Sequence, residues 1–420
     1  MRSPEAATYR SVLRHGEFRG LVVAQVASEC GDNIARVALA SLVLSRTDSA
    51  FLAVLAFVVS FVPAVFGSAV LGAAADRLPR KMVLITCDLA RAVIVAVLAL
   101  VAVDGTPVWL LLFLLLFAET FLAPFEAAQR SVVPDILPEP REALAAFGLM
   151  RVLNQIDQVL GILLAGVVIV LVGERAGLLV DVLSFCVSAL VLAATLRWRR
   201  ASSDPGDHTT LLHDLREGWG LVFDVPAVRA LVLLAWSAAV FFIAPEAVAL
   251  AYARADGADP AAGAALMAAL PAGAAVGAWL VGRLDPLRQV RTVLPLAVLS
   301  CLPLLATAVA PPWPVALVLW ALAGAAQGFM VPLMSTVNLV TPAGSRGRVN
   351  GLAGAGFATV TAATFLLAGG VADLTSPAVA VTGAAALGLL LVGVAAHAWP
   401  HGELRRTASR VYAGNAEAAP

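Results

Sequence analysis

The chain has 420 residues, 60% of them hydrophobic and 13% charged, with 28 basic and 28 acidic side chains and a mean hydropathy of +0.90. Soluble domains carry about 25% charged residues, so an ordinary water-soluble enzyme is excluded. Near-average Gly and Pro usage excludes a collagen-like or disordered chain, and zero net charge removes any bulk attraction to nucleic acid.

Residues 1–17 are polar and read as a cytoplasmic N-terminus. A long apolar segment follows over 18–44, broken in its middle by Glu29-Cys30-Gly31-Asp32-Asn33. It is longer than a secretory signal core, so it reads as a retained first span. Further apolar runs fall at 50–75, 83–103, 108–130, 143–172 and 176–196. After the polar stretch 197–226 come 227–250, 260–283, 292–310, 313–340, 347–371 and 376–399, and a polar tail covers 400–420. A spanning helix needs about 20 apolar residues and a spanning strand about 9–11, so these are helices. The expected fold is all-α: an integral membrane protein of 12 transmembrane helices in two pseudo-symmetric six-helix bundles, over 18–196 and 227–399, joined by a cytoplasmic loop.

Basic residues set the orientation. With the N-terminus inside, cytoplasmic segments hold 22 Lys and Arg and outer loops three, Arg46, Arg175 and Arg254. By the positive-inside rule both termini face the cytoplasm. The single lysine, Lys81, in a chain rich in Ala, Gly and Arg suggests a bacterial cell membrane as the location. The two halves echo each other. Asp76–Lys81 after span 2 matches Gly282–Arg288 after span 8 at an offset of 206, and Val133-Pro134 matches Thr341-Pro342 at 208. Similar halves of this kind suit a transporter working around a midplane site.

The segment Gly72-Ala73-Ala74-Ala75-Asp76-Arg77-Leu78-Pro79-Arg80-Lys81 resembles the loop 2–3 signature of the major facilitator superfamily, with Pro79 at a usual glycine. Gly31-Asp32-Asn33, Arg130–Asp135, Asp181–Phe185, Leu215–Gly218 and Arg346–Val349 are similar to segments of bacterial exporters related to macrolide efflux proteins and the enterobactin exporter. The resemblance implies a two-bundle transporter in which Asp76, with Gly72, Arg77, Arg80 and Lys81, latches one conformation by contacting the start of span 11. From the residues alone, Asp76 is a helix cap and the basic residues a topology signal. Gly161–Gly166 departs from the G-P-x-x-G-G run of drug antiporters by lacking the proline, which leaves strict antiport open.

Embedded charge supplies the candidate site. An ionisable residue near the bilayer centre costs about 2.5–3.5 kcal/mol on insertion scales and faces the bundle interior or water. Asp32, Glu119 and Asp157 stand mid-span in the first half, as candidates for coupling proton entry to substrate exit. The structural alternatives are local ion pairs, Arg36 with Asp32 and Arg151 with Asp157. Glu29, Asp32 and Arg36 share one helical face, and their surplus negative charge suits a proton or a cationic ligand. Glu126 and Arg130 read as a surface pair; Asp88 and Arg91 pair with each other or with the signature loop. Further substrate-cavity candidates are Arg151 and Gln155 in span 5, Glu246 in span 7, and Trp320, Gln327 and Asn338 in span 10. The Gly-rich parts of spans 8 and 11 allow close helix contact.

The chain has no phosphate-binding G-x-x-x-x-G-K-[ST] loop, no metal-like Cys spacing and no clustered catalytic histidines. It therefore reads as a secondary exporter of amphipathic small molecules, coupled to proton antiport and functional as a monomer. No cofactor, metal or nucleic-acid partner is expected. The alternatives are an importer or facilitator of the same fold, and a membrane enzyme or non-transporting partner protein.

Overall fold

The computed structural model describes residues 9–59, 78–199, 219–220, 222–341 and 345–397. The described chain is helical. After one turn at Tyr9–Val12 come α1 (Gly16–Thr47), α2 (Ala50–Val59), α3 (Arg80–Val101) and α4 (Val108–Ile136). Next are α5 (Pro140–Val172) and α6 (Glu174–Thr195). The second half holds α7 (Pro226–Ala255), α8 (Pro260–Gly282), α9 (Pro286–Leu305), α10 (Trp313–Val340), α11 (Arg346–Leu374) and α12 (Pro377–His397).

Ten of these, α3 to α12, are long and apolar enough to cross a membrane. The 32-residue α1 is the longest but one, and Glu29, Asp32 and Arg36 in its middle set it apart from the uniformly apolar helices. The apolar α2 ends the described stretch at Val59, short of the 50–75 run. Several helices extend past the expected runs. α4 continues to Ile136 through Pro134, and α9 starts at Pro286 and passes into a 3-10 turn at Ala306–Val309.

Two spans expected as continuous are interrupted. In α4 the first segment ends at Glu119 and the second begins at Leu122. Pro124 has no N–H to offer the Thr120 carbonyl, and its ring crowds that oxygen. In α10 a 3-10 turn occupies Gln327–Phe329, four residues ahead of Pro332. At the internal offset of 208, Pro124 corresponds to Pro332 and Glu119 to Gln327.

The chain divides into two compact units, Met1–Asp204 with Asp259–Ala265, and Pro205–Ala258 with Leu266–Pro420. In the first, α1 packs along α5 and α6, and α3 along α6 and α4. Small residues set the spacing: a Cβ on Gly31 of α1 would collide with Ser184 of α6, and one on Gly161 of α5 would lie 2.7 Å from Asn33 Cβ. In the second unit α7 packs on α11 and α12, and α9 on α10 and α12. Gly273 and Gly277 of α8 lie against the α10 backbone at Ala321 and Ala325, the close contact expected of them. On α11 that contact is made at Gly356, which abuts Trp236, whereas Gly351 and Gly354 face open space.

Candidate functional site

The buried charge lies in the first unit and falls into two systems. Arg91, midway along α3 and 1% exposed, is the centre of the first. Its Nη2 donates to Asp32 Oδ1 of α1 at 2.7 Å and lies 3.7 Å from Glu119 Oε2 of α4. Glu119 Oε1 in turn lies 3.8 Å from Arg36 Nε of α1. The guanidinium carbon sits 4.3 Å from the centroid of the Phe185 ring of α6, which covers it with a weakly attractive π face.

Two more buried carboxylates surround this core. Asp88, one turn before Arg91, accepts a 2.6 Å hydrogen bond from Ser188 Oγ of α6. Asp181 of α6 is buried, and Ser184 Oγ donates to its Oδ1 at 3.2 Å and to its carbonyl at 2.8 Å. Four buried carboxylates thus gather here: Asp32 and Glu119 pair with Arg91 and Arg36, of which Arg91 alone is fully buried, while Asp88 and Asp181 are held by serines. Removing one partner from such a buried cluster costs about 3–5 kcal/mol, because a charge is stranded.

The second system joins α1, α4 and α5 through neutral amides. Gln129 Nε2 of α4 donates to Gln25 Oε1 at 3.3 Å; Gln25 Nε2 donates to Glu29 Oε1 at 2.9 Å. Asn154 Nδ2 of α5 donates to Glu29 Oε2 at 2.7 Å. Asp157, one turn further along α5, is 5% exposed, and its Oδ2 is buried without a hydrogen-bond partner.

The sequence candidates are therefore distributed. Asp32, Glu119 and Arg36 come together around Arg91, while Glu29 and Asp157 belong to the amide system. The local pairs offered as structural alternatives for Asp32 and Asp157 do not form among the described residues. Asp32 meets Arg91 of α3 rather than Arg36. Arg151 is exposed and has no ion pair among the described residues; about 100° per residue places it some 120° around α5 from Asp157. Asp88 and Arg91 diverge to Ser188 and Asp32 rather than pairing with each other. Glu126 and Arg130 form the expected exposed pair at 2.6 Å. The sequence reading missed Arg91 as the centre, and Asp88 and Asp181 as members. Its signal was the spacing of Asp181, Ser184 and Ser188 along one helical face opposite Gly31.

In the second unit, Trp320 is fully buried: its Nε1 lies 3.3 Å from Thr307 Oγ1 and its ring meets Tyr252 edge-on at 5.5 Å. Gln327 and Glu246 are half-buried. Asn338 is half-buried and accepts from Asn350 Nδ2 at 2.8 Å. Gln155 is exposed on α5. Among the described residues no cluster of His, Cys, Asp and Glu could hold a metal ion.

Of the signature loop, Gly72, Asp76 and Arg77 lie outside the described residues. Arg80 bonds Asp135 and, at 2.8 Å, the Ser131 carbonyl at the end of α4. Lys81 Nζ donates to the Ala193 and Leu196 carbonyls at the end of α6, at 2.6 and 2.7 Å, where a cation meets the negative end of a helix. Glu17 at the start of α1 binds Arg199 at 2.6 Å and lies 3.5 Å from Arg197. Burial works to raise the Glu17 pKa, but the hydrogen bonds and charges of these arginines outweigh it, and the net shift is downward.

Membrane-length helices that gather ionisable groups in a buried network are the build of a secondary transporter. The chain belongs to the Major Facilitator Superfamily, whose family description matches residues 21–337. It is an integral multi-pass membrane transporter of that fold. It is 27% identical over 392 residues to the multidrug efflux pump Tap of Mycolicibacterium fortuitum, covering 91% of this chain and 95% of that one. It is 28% identical over 221 residues to the uncharacterized MFS-type transporter YkuC of Bacillus subtilis, covering 49% of this chain; the match spans half the length of that relative. Among solved structures, the nucleoside transporter NupG (D323A mutant) superposes with a TM-score of 0.69 at 15% identity, covering 91% of this chain and 99% of that one.

Proposed function

We propose that this protein exports amphipathic small molecules across a bacterial cytoplasmic membrane in exchange for protons, by alternating access between its two six-helix halves. The observation that carries this reading is the Arg91 guanidinium held between Asp32 at 2.7 Å and Glu119 at 3.7 Å in the interior of a helical bundle. A proton taken up by Asp32 removes its charge and loosens its bond to Arg91. The guanidinium then leans toward Glu119, and α1 shifts relative to α3 and α4. Release of that proton to the other side of the membrane restores the first pairing. Proton occupancy and helix position are linked in this way, as exchange transport requires. The full-length likeness to a multidrug efflux pump supports export and a broad substrate range.

Several companion assignments belong to the same reading. Both termini face the cytoplasm, and one chain is the working unit. The bundles span 18–196 and 227–399, joined by a cytoplasmic loop at 197–226. Asp76, with Gly72 and Arg77, latches the cytoplasmic side, supported by Arg80 and Lys81, which brace the ends of α4 and α6. The chain works as a carrier and not as an enzyme.

The test is efflux from proteoliposomes under an imposed pH gradient. Asp32→Asn abolishes gradient-driven efflux while the protein remains monodisperse and inserted. Normal coupled efflux by that variant removes Asp32 from the mechanism, and gradient-driven uptake by the wild type replaces the exporter with an importer.

A further inference from the structure

We infer that the α8–α9 turn, with the outward face of α8 that leads into it, is a binding site for an anionic phospholipid. The headgroup lies on Arg283, Arg288 and Arg291, and the acyl chains run along Val276 and Leu280. The site is separate from the buried charge of the first unit. It takes from the export reading only the placement of this turn at the cytoplasmic surface.

Val276, Trp279, Leu280 and Arg283 follow one another at i, i+3, i+4 and i+7, so they share one face of α8. All four are exposed, Trp279 by 57%. The opposite face is occupied, because Gly273 and Gly277 lie against the α10 backbone. The outward stripe therefore runs from aliphatic to aromatic to cationic, the order of a lipid from chain to headgroup. The Arg283 guanidinium carbon sits 3.6 Å from the Trp279 ring centroid. This cation–π contact positions the cation without using its N–H donors, which remain for a phosphodiester. Arg288 and Arg291 are exposed at the start of α9. Asp285, the only acidic residue between positions 260 and 340, lies 3.4 Å from Arg288. Three arginines thus face one carboxylate.

The first half shows the same loop put to another use. At the internal offset of 206, Arg283 corresponds to Arg77, Gly282 to Asp76 and Trp279 to Ala73. In the first half Arg80 and Lys81 bind the protein itself, through Asp135, the Ser131 carbonyl and the carbonyls ending α6. In the second half Arg283 and Arg291 have no ion pair among the described residues. The second copy of the loop lacks the acid and carries an indole, a side chain that settles at headgroup level. Each arginine beside an anionic leaflet strengthens attachment by about fivefold. The aliphatic stripe distinguishes a lipid from a soluble polyanion, which would leave Val276 and Leu280 uncovered.

The experiment is tryptophan quenching of the full chain in phosphatidylcholine nanodiscs doped with chain-brominated phosphatidylglycerol or chain-brominated phosphatidylcholine. Each protein is read against its own Trp279→Phe version, so the difference reports Trp279. Both leaflets of a nanodisc are alike, so the result does not depend on the orientation of the chain. The wild type prefers the brominated phosphatidylglycerol by about tenfold or more. Arg283→Gln lowers that preference about fivefold, and Arg283→Gln with Arg291→Gln removes it. Arg141→Gln, at an exposed arginine of α5, leaves it unchanged, and excess inorganic phosphate does not reverse the quenching. The inference is overturned if the two lipids quench Trp279 equally in the wild type, if the double arginine variant keeps the preference, or if inorganic phosphate displaces the lipid. Failure of gradient-driven efflux with the lipid preference intact would instead strike the export reading and leave this site standing.

Discussion

The two units carry the same succession of helices and fill their interiors with different chemistry. In the first, α1, α3, α4 and α6 meet around Arg91 and four carboxylates. In the second, the corresponding interior is aromatic and aliphatic. Phe241 and Phe242 meet edge to face at 4.4 Å, Phe242 lies 6.1 Å from Phe329, and Tyr252 closes on Trp320. At the internal offsets of 208 and 206, Glu119 becomes Gln327 and Arg91 becomes Ala297. Duplicated architecture therefore preserved the break in the fourth helix of each half while the charge stayed in one. Apolar burial strands no charge when a side chain is lost, whereas each member of the Arg91 network depends on its partners.

That contrast can be broken from either side. The largest effect is expected from Arg91→Met, which strands Asp32 and Glu119 in the interior and lowers stability by about 3–5 kcal/mol. Thermal melting in detergent reads it, and adding Asp32→Asn and Glu119→Gln recovers most of the loss. An unchanged melting temperature for Arg91→Met would mean the cluster is wet. Next is Gln327→Glu, which asks the second unit to hold a charge where the first does. With Ala297 in place of a guanidinium it costs about 2.5–3.5 kcal/mol on the insertion scale, seen as a lower melting temperature than the wild type gives. A melting temperature equal to that of the wild type would erase the asymmetry.

The smallest effect lies at the cytoplasmic edge, where Glu17 meets Arg199. Its pKa is lowered in the folded protein, so the contribution is complete above the ordinary glutamate range and disappears as the pH falls through its depressed folded value. Glu17→Gln flattens the acid limb of the stability curve and leaves it unchanged near neutrality apart from the lost pair. An acid limb identical to that of the wild type would assign the acid sensitivity elsewhere.

Much of this could be read from the residues. The apolar runs gave the helices, and the repeated loop residues gave the two halves. Embedded acids at 32, 119 and 157 gave the unit that holds the charge. Partner choice was not legible. Local spacing offered Arg36 to Asp32 and Arg151 to Asp157 as structural alternatives, whereas the actual partner of Asp32 lies 59 residues away on another helix. That pairing depends on how α1 and α3 are brought together in the fold, which spacing along one helix does not encode. The interruptions in α4 and α10 were written in Pro124 and Pro332, but a proline within an apolar run does not say whether the helix kinks, breaks or absorbs it.

Those two prolines leave a lasting mark on how each half can flex. Each robs the carbonyl four residues behind it of its regular helical donor, so bending at that joint sacrifices no ladder bond. The fourth and tenth spans are thus jointed rods. One joint abuts an acid bound into a buried charge cluster, while its twin abuts the uncharged Gln327.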